Sequence, residues 1–260
     1  MTLVWRPGYG GATVSDPDAR AYLQAVEVAD NQALEQGVQQ AVNDFVVGCK
    51  NDGIWDAIKA CCILAGARTL NGALVPLVGT APTNYNFVAG DYNRETGLKG
   101  NGSTKYLDSN RTENADPLLN QHISTYATVA ATGNGCYIGA RDASNIGSQI
   151  VVDTAVSITN VFFISRSVVV DSSGPVPLAG FAGLRRSASV ASYRRNGATL
   201  NGFFGTPVTS SGSYFVFNRP YSAFYSNTRL SFYSIGESLD LALLDTRVSN
   251  LMTAIGAAIP

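Results

Sequence analysis

The feature that most constrains this chain is a change of period near Leu74. From Asp16 to Arg68, apolar residues recur mostly at every third or fourth position, whereas beyond Leu74 short apolar runs are cut by Gly, Asn, Pro and Ser. A helix places one apolar stripe on a period of about 3.6 residues and a half-buried strand alternates, so the two stretches must fold differently. Helices come first, and a run of short strands follows.

Leu23, Val26, Leu34, Val38, Val42, Phe45 and Val46 form the first stripe, read as one helix that Asp16 caps and Pro17 opens. Lys50-Asn51-Asp52-Gly53 interrupts it. Ile54, Trp55, Ile58, Cys61, Cys62 and Ala65 then predict a second amphipathic helix that runs out near Gly66, completing a helical hairpin. Ile123, Thr125, Ala127 and Val129 alternate with their neighbours, Val161 to Ile164 is continuously apolar, and Ser213–Asn218 and Leu230–Ile235 are rich in aromatics; all read as strands. With no helix between them, they predict an antiparallel two-sheet sandwich rather than a parallel sheet. Leu243, Leu244, Val248, Leu251, Met252 and Ile255 return to helical spacing after the candidate cap Asp240, so a short helix closes the chain. The expected division is residues 1–75 for the N-terminal segment and hairpin, and 76–260 for the sandwich.

Charge narrows the range of functions. Of 260 residues only 14% are charged, against roughly 25% in an ordinary domain, and 18 Lys and Arg nearly cancel 19 Asp and Glu. Binding driven by nucleic-acid phosphates needs a basic excess that is absent. MTLVWRPGYGG has no signal-peptide character and no window reaches the length of a membrane span, so neither secretion nor membrane insertion is expected. Cys49, Cys61, Cys62 and Cys136 contain no C-x-x-C pair and read as free thiols that pack as small core residues.

Catalytic constellations fail one by one. His122 is the only histidine; it opens a predicted strand and reads as a surface or hydrogen-bonded structural residue, so nucleophile–base pairs and a zinc site have nothing to rest on. Gly97–Lys105 is not a phosphate loop, because Ser103 stands where Lys must follow the last Gly; it reads as a turn between strands. Five Glu, two of them on the first helix, offer no evident facing pair for glycoside hydrolysis. No cofactor, metal site or enzymatic activity is expected.

Three segments carry a resemblance. DGIWDAIKACCILAGARTLNGALVPLVG (Asp52–Gly79), DYNRETGLKGNGSTKYLDSNR (Asp91–Arg111) and NTRLSFYSIGESLDLALLDTRVSNLMTAIG (Asn227–Gly256) resemble tailed-bacteriophage and prophage virion proteins with a concanavalin A-like jelly roll, from about residue 40 onward. The Glu-x-Asp-x-x-Glu strand of that fold's hydrolases is absent, as are its metal loops. The resemblance implies a non-enzymatic tail or fibre adhesin in the virion, alternatively a capsid decoration protein, with a polysaccharide-degrading enzyme third. Its partners would be other virion proteins, further copies of itself, as a trimer, and a host-surface glycan. Tyr193, Arg194, Arg195, Arg219, Tyr221 and Tyr225, in turn-rich stretches, are the candidate ligand contacts, since Tyr stacks on sugar rings and Arg forks to acid groups. Trp5 and Tyr9 are the candidate anchors to the particle.

Overall fold

Asp16 starts the fold as its position suggests, its carboxylate accepting from the Asp18 and Ala19 N–H groups at 2.9 and 3.3 Å. Pro17 opens helix α1 (Pro17–Asp30). The computed structural model describes residues 14–153, 160–167, 170–175, 179–188, 190–202 and 205–260, with the backbone alone for 160 and 170–175.

The first stripe belongs to two helices rather than one. Asn31 takes a left-handed conformation (φ 53°) and its N–H closes on Glu27 O, ending α1; α2 (Gln36–Asn51) follows after a short loop. Asn tolerates that conformation better than other residues with side chains, which is why the break falls there. Tyr22, Leu23 and Val26 of α1 and Val38, Val42, Phe45 and Val46 of α2 are buried in a single apolar cluster, so these two helices form the hairpin.

The second predicted helix is a strand. After one 3-10 turn at Trp55–Ala57, β1 (Ile58–Ile63) pairs antiparallel with β15 (Arg229–Gly236). Ala60 and Cys62 face the core of the sandwich while Cys61 and Ile63 face the helices. Buried on both sides, this strand has no polar alternation, and an unbroken apolar run does not reveal its period. The expected boundary at residue 75 therefore leaves one strand of the sheet on its N-terminal side.

A four-residue helix α3 (Leu70–Ala73) is capped by Thr69, whose hydroxyl accepts from Gly72 N–H. The strands then follow as β2 (Thr83–Tyr85), β3 (Tyr92–Asn93), β4 (Gly97–Lys99), β5 (Tyr106–Thr112) and β6 (Asn120–Val129). Next come β7 (Gly135–Gly139), β8 (Gly147–Asp153), β9 (Asn160–Ser167), β10 (Val170–Pro175) and β11 (Gly180–Ser187). β12 (Val190–Arg195), β13 (Ala198–Gly202), β14 (Ser213–Val216) and β15 complete the sheets, and α4 (Leu241–Ala258) ends the chain. Asp240 caps α4 through Ala242 and Leu243 N–H as expected, but at 18 residues the helix is not short.

One sheet, A, runs β13-β12-β11-β6-β15-β4-β3, with β1 sharing the far edge of β15; the other, B, runs β10-β9-β8-β7-β14-β5-β2. Between them lies a core that includes Leu98, Leu107, Ile123, Tyr137, Ile150, Phe163, Tyr214, Val216 and Tyr233. This is the expected antiparallel sandwich with a helical hairpin and a C-terminal helix. The Gly97–Lys105 stretch is β4 and a turn that crosses from sheet A to sheet B, held by Asn101 Oδ1, which accepts from the 103, 104 and 105 N–H groups.

The helices roof sheet A. Phe232 points out of β15 onto Phe45 of α2, ring centroids 5.7 Å apart, and Phe181, Leu244, Val248, Leu251 and Ile255 fill the same layer. The apolar stripes of α1 and α2 are thus covered within the chain. Among the described residues no helix roofs sheet B; β7 and β8 are buried on both faces but the β5–β2 edge is not, and that asymmetry positions the site. No helix among the described residues is long and apolar enough to cross a membrane.

Candidate functional site

The open face of sheet B carries an aromatic row at its β2 edge. In β5, Leu107 and Ser109 point inward, so Tyr106 and Asp108 point outward. β2 pairs with β5 so that Tyr85 lies opposite Tyr106 and Thr83 opposite Asp108, and on the other side Phe215 of β14 lies opposite Asp108. The rings of Tyr85 and Tyr106 stack with centroids 4.4 Å apart and planes within 3°, and Phe215 follows at 4.7 Å from Tyr106. Strands sit about 4.8 Å apart, so rings stacked at this distance stand upright, face to face across the strands. Because β2 is the edge strand, no ring or strand stacks on the second face of Tyr85 among the described residues, and Tyr85 is 40% exposed.

Polar groups border this row. Asp108 Oδ1 accepts from Asn110 N–H at 2.9 Å, while Asn110 takes a left-handed turn (φ 57°) and donates to Thr83 Oγ1 and Ala81 O at 3.0 and 2.9 Å, fastening the start of β2. Burial beside the rings raises the Asp108 carboxyl above its ordinary range, opposed only by the Asn110 N–H. Burial likewise raises the Tyr106 phenol, with further contributions from Tyr85, Tyr225 and Asp108. The patch therefore offers one free aromatic face, phenol hydroxyls, an amide, a threonine hydroxyl and a single carboxylate.

The sequence candidates divide between the two sheets. Arg219, Tyr221 and Tyr225 lie in the segment that leaves β14 and borders the row: the Tyr225 ring is 6.1 Å from Tyr106, and Tyr221 is 73% exposed in a left-handed conformation (φ 56°). Arg219 is already engaged, stacked 4.3 Å over Phe224 and donating to Gln149 Oε1 at 2.7 Å. Tyr193 must be removed from the set, since it is buried in the core and stacks on Phe163 at 4.5 Å. Alternation along β12 puts Ala191 and Tyr193 on the core side and Arg194 on the helix side, where it donates to Asp245 of α4 at 2.7 Å. Arg195 ends the core-side row with a buried Nη1 that has no hydrogen-bond partner among the described residues. Trp5 and Tyr9 lie outside the described residues.

Sequence reasoning missed Tyr85, Tyr106, Asp108 and Phe215. The alternation Tyr106-Leu107-Asp108-Ser109 was a usable signal; that β2 and β14 flank it was not, since both pairings join distant segments.

Two other polar groupings are closed to ligands. His122 is fully buried on the helix side of β6, with Nδ1 2.6 Å from Glu237 O and Nε2 2.9 Å from Ser234 Oγ, which is itself 2.7 Å from Ser124 Oγ. Burial lowers its pKa to about 4, so it is a neutral structural residue, not the surface histidine that was the other expectation. Between the sheets, Glu113 is fully buried: Tyr214 donates to its Oε1 at 3.3 Å, Arg166 Nε stands 3.7 Å away, and Oε2 has no hydrogen-bond partner among the described residues. Burial raises its pKa to about 7. The four cysteines are free and buried, and burial pushes the Cys49, Cys62 and Cys136 thiols up to about 12, leaving them unreactive. No group of three or more His, Cys, Asp or Glu able to hold a metal occurs among the described residues.

No protein-family model matches the chain, and a search of curated proteins gave no match. Among solved structures, a mutant of Trypanosoma rangeli sialidase displaying trans-sialidase activity is similar at TM-score 0.47 and 13% identity, over 84% of this chain and 40% of that one. A GH54 α-L-arabinofuranosidase is similar at TM-score 0.42 and 11% identity, over 62% of this chain and 41% of that one. Domain 4 of AbnA, a GH43 extracellular arabinanase from Geobacillus stearothermophilus, is similar at TM-score 0.39 and 12% identity, over 67% of this chain and 82% of that one. The chain spans about 40% of the sialidase it resembles. The virion adhesin expected from the sequence is corrected by this result: these neighbours are glycoside hydrolases, none is a virion protein, and nothing else in the structure indicates a role in a phage particle.

Proposed function

We propose that the β2 edge of sheet B binds a saccharide without cleaving it. The observation that carries this reading is the upright row Tyr85-Tyr106-Phe215, which ends in a free Tyr85 face and is bordered by hydroxyl, amide and carboxylate groups. A pyranose or furanose ring has a face of C–H groups and a rim of hydroxyls. It matches an exposed phenol face surrounded by short polar side chains, whereas a nucleotide would bring phosphates that meet no cation among Thr83, Tyr85, Tyr106, Asp108, Asn110 and Phe215.

Binding rather than hydrolysis follows from the carboxyl count of the patch. Glycoside hydrolysis by the common route takes two carboxyl groups about 5 to 9.5 Å apart across the bond. Asp108 shares its face with Thr83, Tyr85, Tyr106, Asn110 and Phe215, none of which carries a second carboxyl, and the carboxylates at the border, Asp91 and Asp116, are tied up by Lys105 and Arg111.

A glycan array followed by calorimetry tests the proposal. The protein is expected to retain at least one glycan class, and Tyr85→Ala to weaken it by about fivefold, the equivalent of one aromatic contact of roughly 1 kcal/mol, with a melting temperature lowered by no more than about 4 °C. An array with no retained glycan, or full affinity in Tyr85→Ala, overturns it.

A further inference from the structure

We infer that the saccharide taken by this site carries no acid groups, and that Asp108 is the residue that excludes uronic and sialic acids. This rests on the reading of the β2 edge as a saccharide site and adds the class of ligand to it.

The argument is one of charge placement. Asp108 lies in the outward row between Tyr106, its neighbour along the strand, and Phe215, its cross-strand partner, so a ring stacked on this patch places its substituents beside the carboxylate. Oδ1 already accepts the Asn110 N–H, and no cation pairs with Asp108 among the described residues. Three cations bordering the patch have acceptors of their own among the described residues, and a fourth, Arg141 beside Arg219, follows β7 on the far side of Phe215 from Tyr85. Lys105 is paired with Asp91, Arg111 forks onto Asp116 with Nε–Oδ2 3.1 Å, and Arg219 is held by Gln149 and the Phe224 ring.

An anionic sugar seated on the Tyr85 face would have to bring its carboxylate next to Asp108, or pull an arginine or lysine of that border out of an existing pair. Both cost free energy, because like charges in a partly desolvated site repel strongly and a broken pair leaves its other member unmatched. A hydroxyl or ammonium group, by contrast, donates to the free Asp108 Oδ2. The unpaired carboxylate thus accepts donors and rejects acids.

Glycans that differ only in the charge of an acid group provide the test: the methyl ester of sialyllactose against sialyllactose, and methyl-esterified polygalacturonate against polygalacturonate, on the intact chain. The wild type is expected to favour the neutral member of a bound pair by at least about tenfold, and Asp108→Asn and Asp108→Ser to reduce that ratio to within about threefold, the neutral ligand itself binding somewhat more weakly for want of the carboxylate acceptor. Raising the salt concentration should shrink the wild-type ratio and leave that of the variants unchanged. Equal or tighter binding of the acidic members overturns the inference and leaves the saccharide site standing. A ratio that persists in both variants removes Asp108 from the role. Failure of every glycan on the array to bind the wild type removes the site itself.

Discussion

The outer faces of the two sheets are built from similar strands and have opposite fates. On sheet A, Phe232, Phe181 and Tyr126 point into a helical layer, and His122, Ser124 and Ser234 form a closed hydrogen-bonded chain beneath it. On sheet B, Tyr85, Tyr106 and Phe215 stay partly in water with an unpaired carboxylate. The difference teaches that aromatic residues on a sheet are core where another layer arrives and stay open to a ligand where none does. An uncovered aromatic row is the rarer arrangement, because leaving apolar rings in water forgoes roughly 25 cal/mol for each Å² that could have been buried.

The sharpest way to break this comparison is to truncate one ring on each face. Phe232→Ala should destabilise the protein by about 3 to 5 kcal/mol, since it opens a cavity against Phe45, whereas Phe215→Ala should cost clearly less. Chemical denaturation of the two variants side by side measures this, and equal losses would show that the face of sheet B is as structural as that of sheet A.

Two buried titrating groups, one in each layer, should respond to pH in opposite senses. Glu113, between the sheets, is raised from 4.5 to about 7, so the native state holds its proton more tightly than the unfolded chain does. Its contribution is complete below about pH 4.5 and is lost as pH rises through about 7, a change of about 3 kcal/mol. His122, under the helices, is lowered from 6.5 to about 4, so its contribution is complete above about pH 6.5 and is lost as pH falls through about 4, by a similar amount. Stability curves of single variants separate them. Glu113→Gln should keep only the acid-side loss and His122→Gln only the loss toward neutral pH.

The smallest expected effect on stability sharpens the comparison most. Tyr85→Ala, at the edge strand, should change the unfolding free energy by about 1 kcal/mol or less while weakening glycan binding, whereas no single truncation in the helical layer should separate the two. Denaturation and calorimetry on the same preparation report both quantities.

How legible each face was in the sequence follows from the same asymmetry. β5 alternates between half-exposed Tyr106 and Asp108 and buried Leu107 and Ser109, so its strand period could be read directly. β1, covered on both sides, shows only Ile58-Lys59-Ala60-Cys61-Cys62-Ile63, and its apolar run was taken for a helix. The break between α1 and α2 rests on the backbone of one residue, Asn31, which barely disturbs the stripe on either side of it. Tyr193 and Tyr225 looked alike in turn-rich surroundings. One stacks on Phe163 in the core and the other borders the open row, because their neighbours come from strands far away in the chain.

The sequence by itself determined the helix starts at Asp16 and Asp240, the strand character beyond Leu74, the turn at Asn101, and the free state of the cysteines. All are local: a cap, a period and a turn depend on residues within a few positions of one another. Only the tertiary structure decided which sheet the helices cover, and with it which aromatics are core and which are surface. A strand presents two faces of equal standing until other layers pack against them, and the segments that do so here, α2 and α4, are separated from β15 by very different lengths of chain. The candidate site exists because that packing covered sheet A and left the Tyr85 edge of sheet B bare.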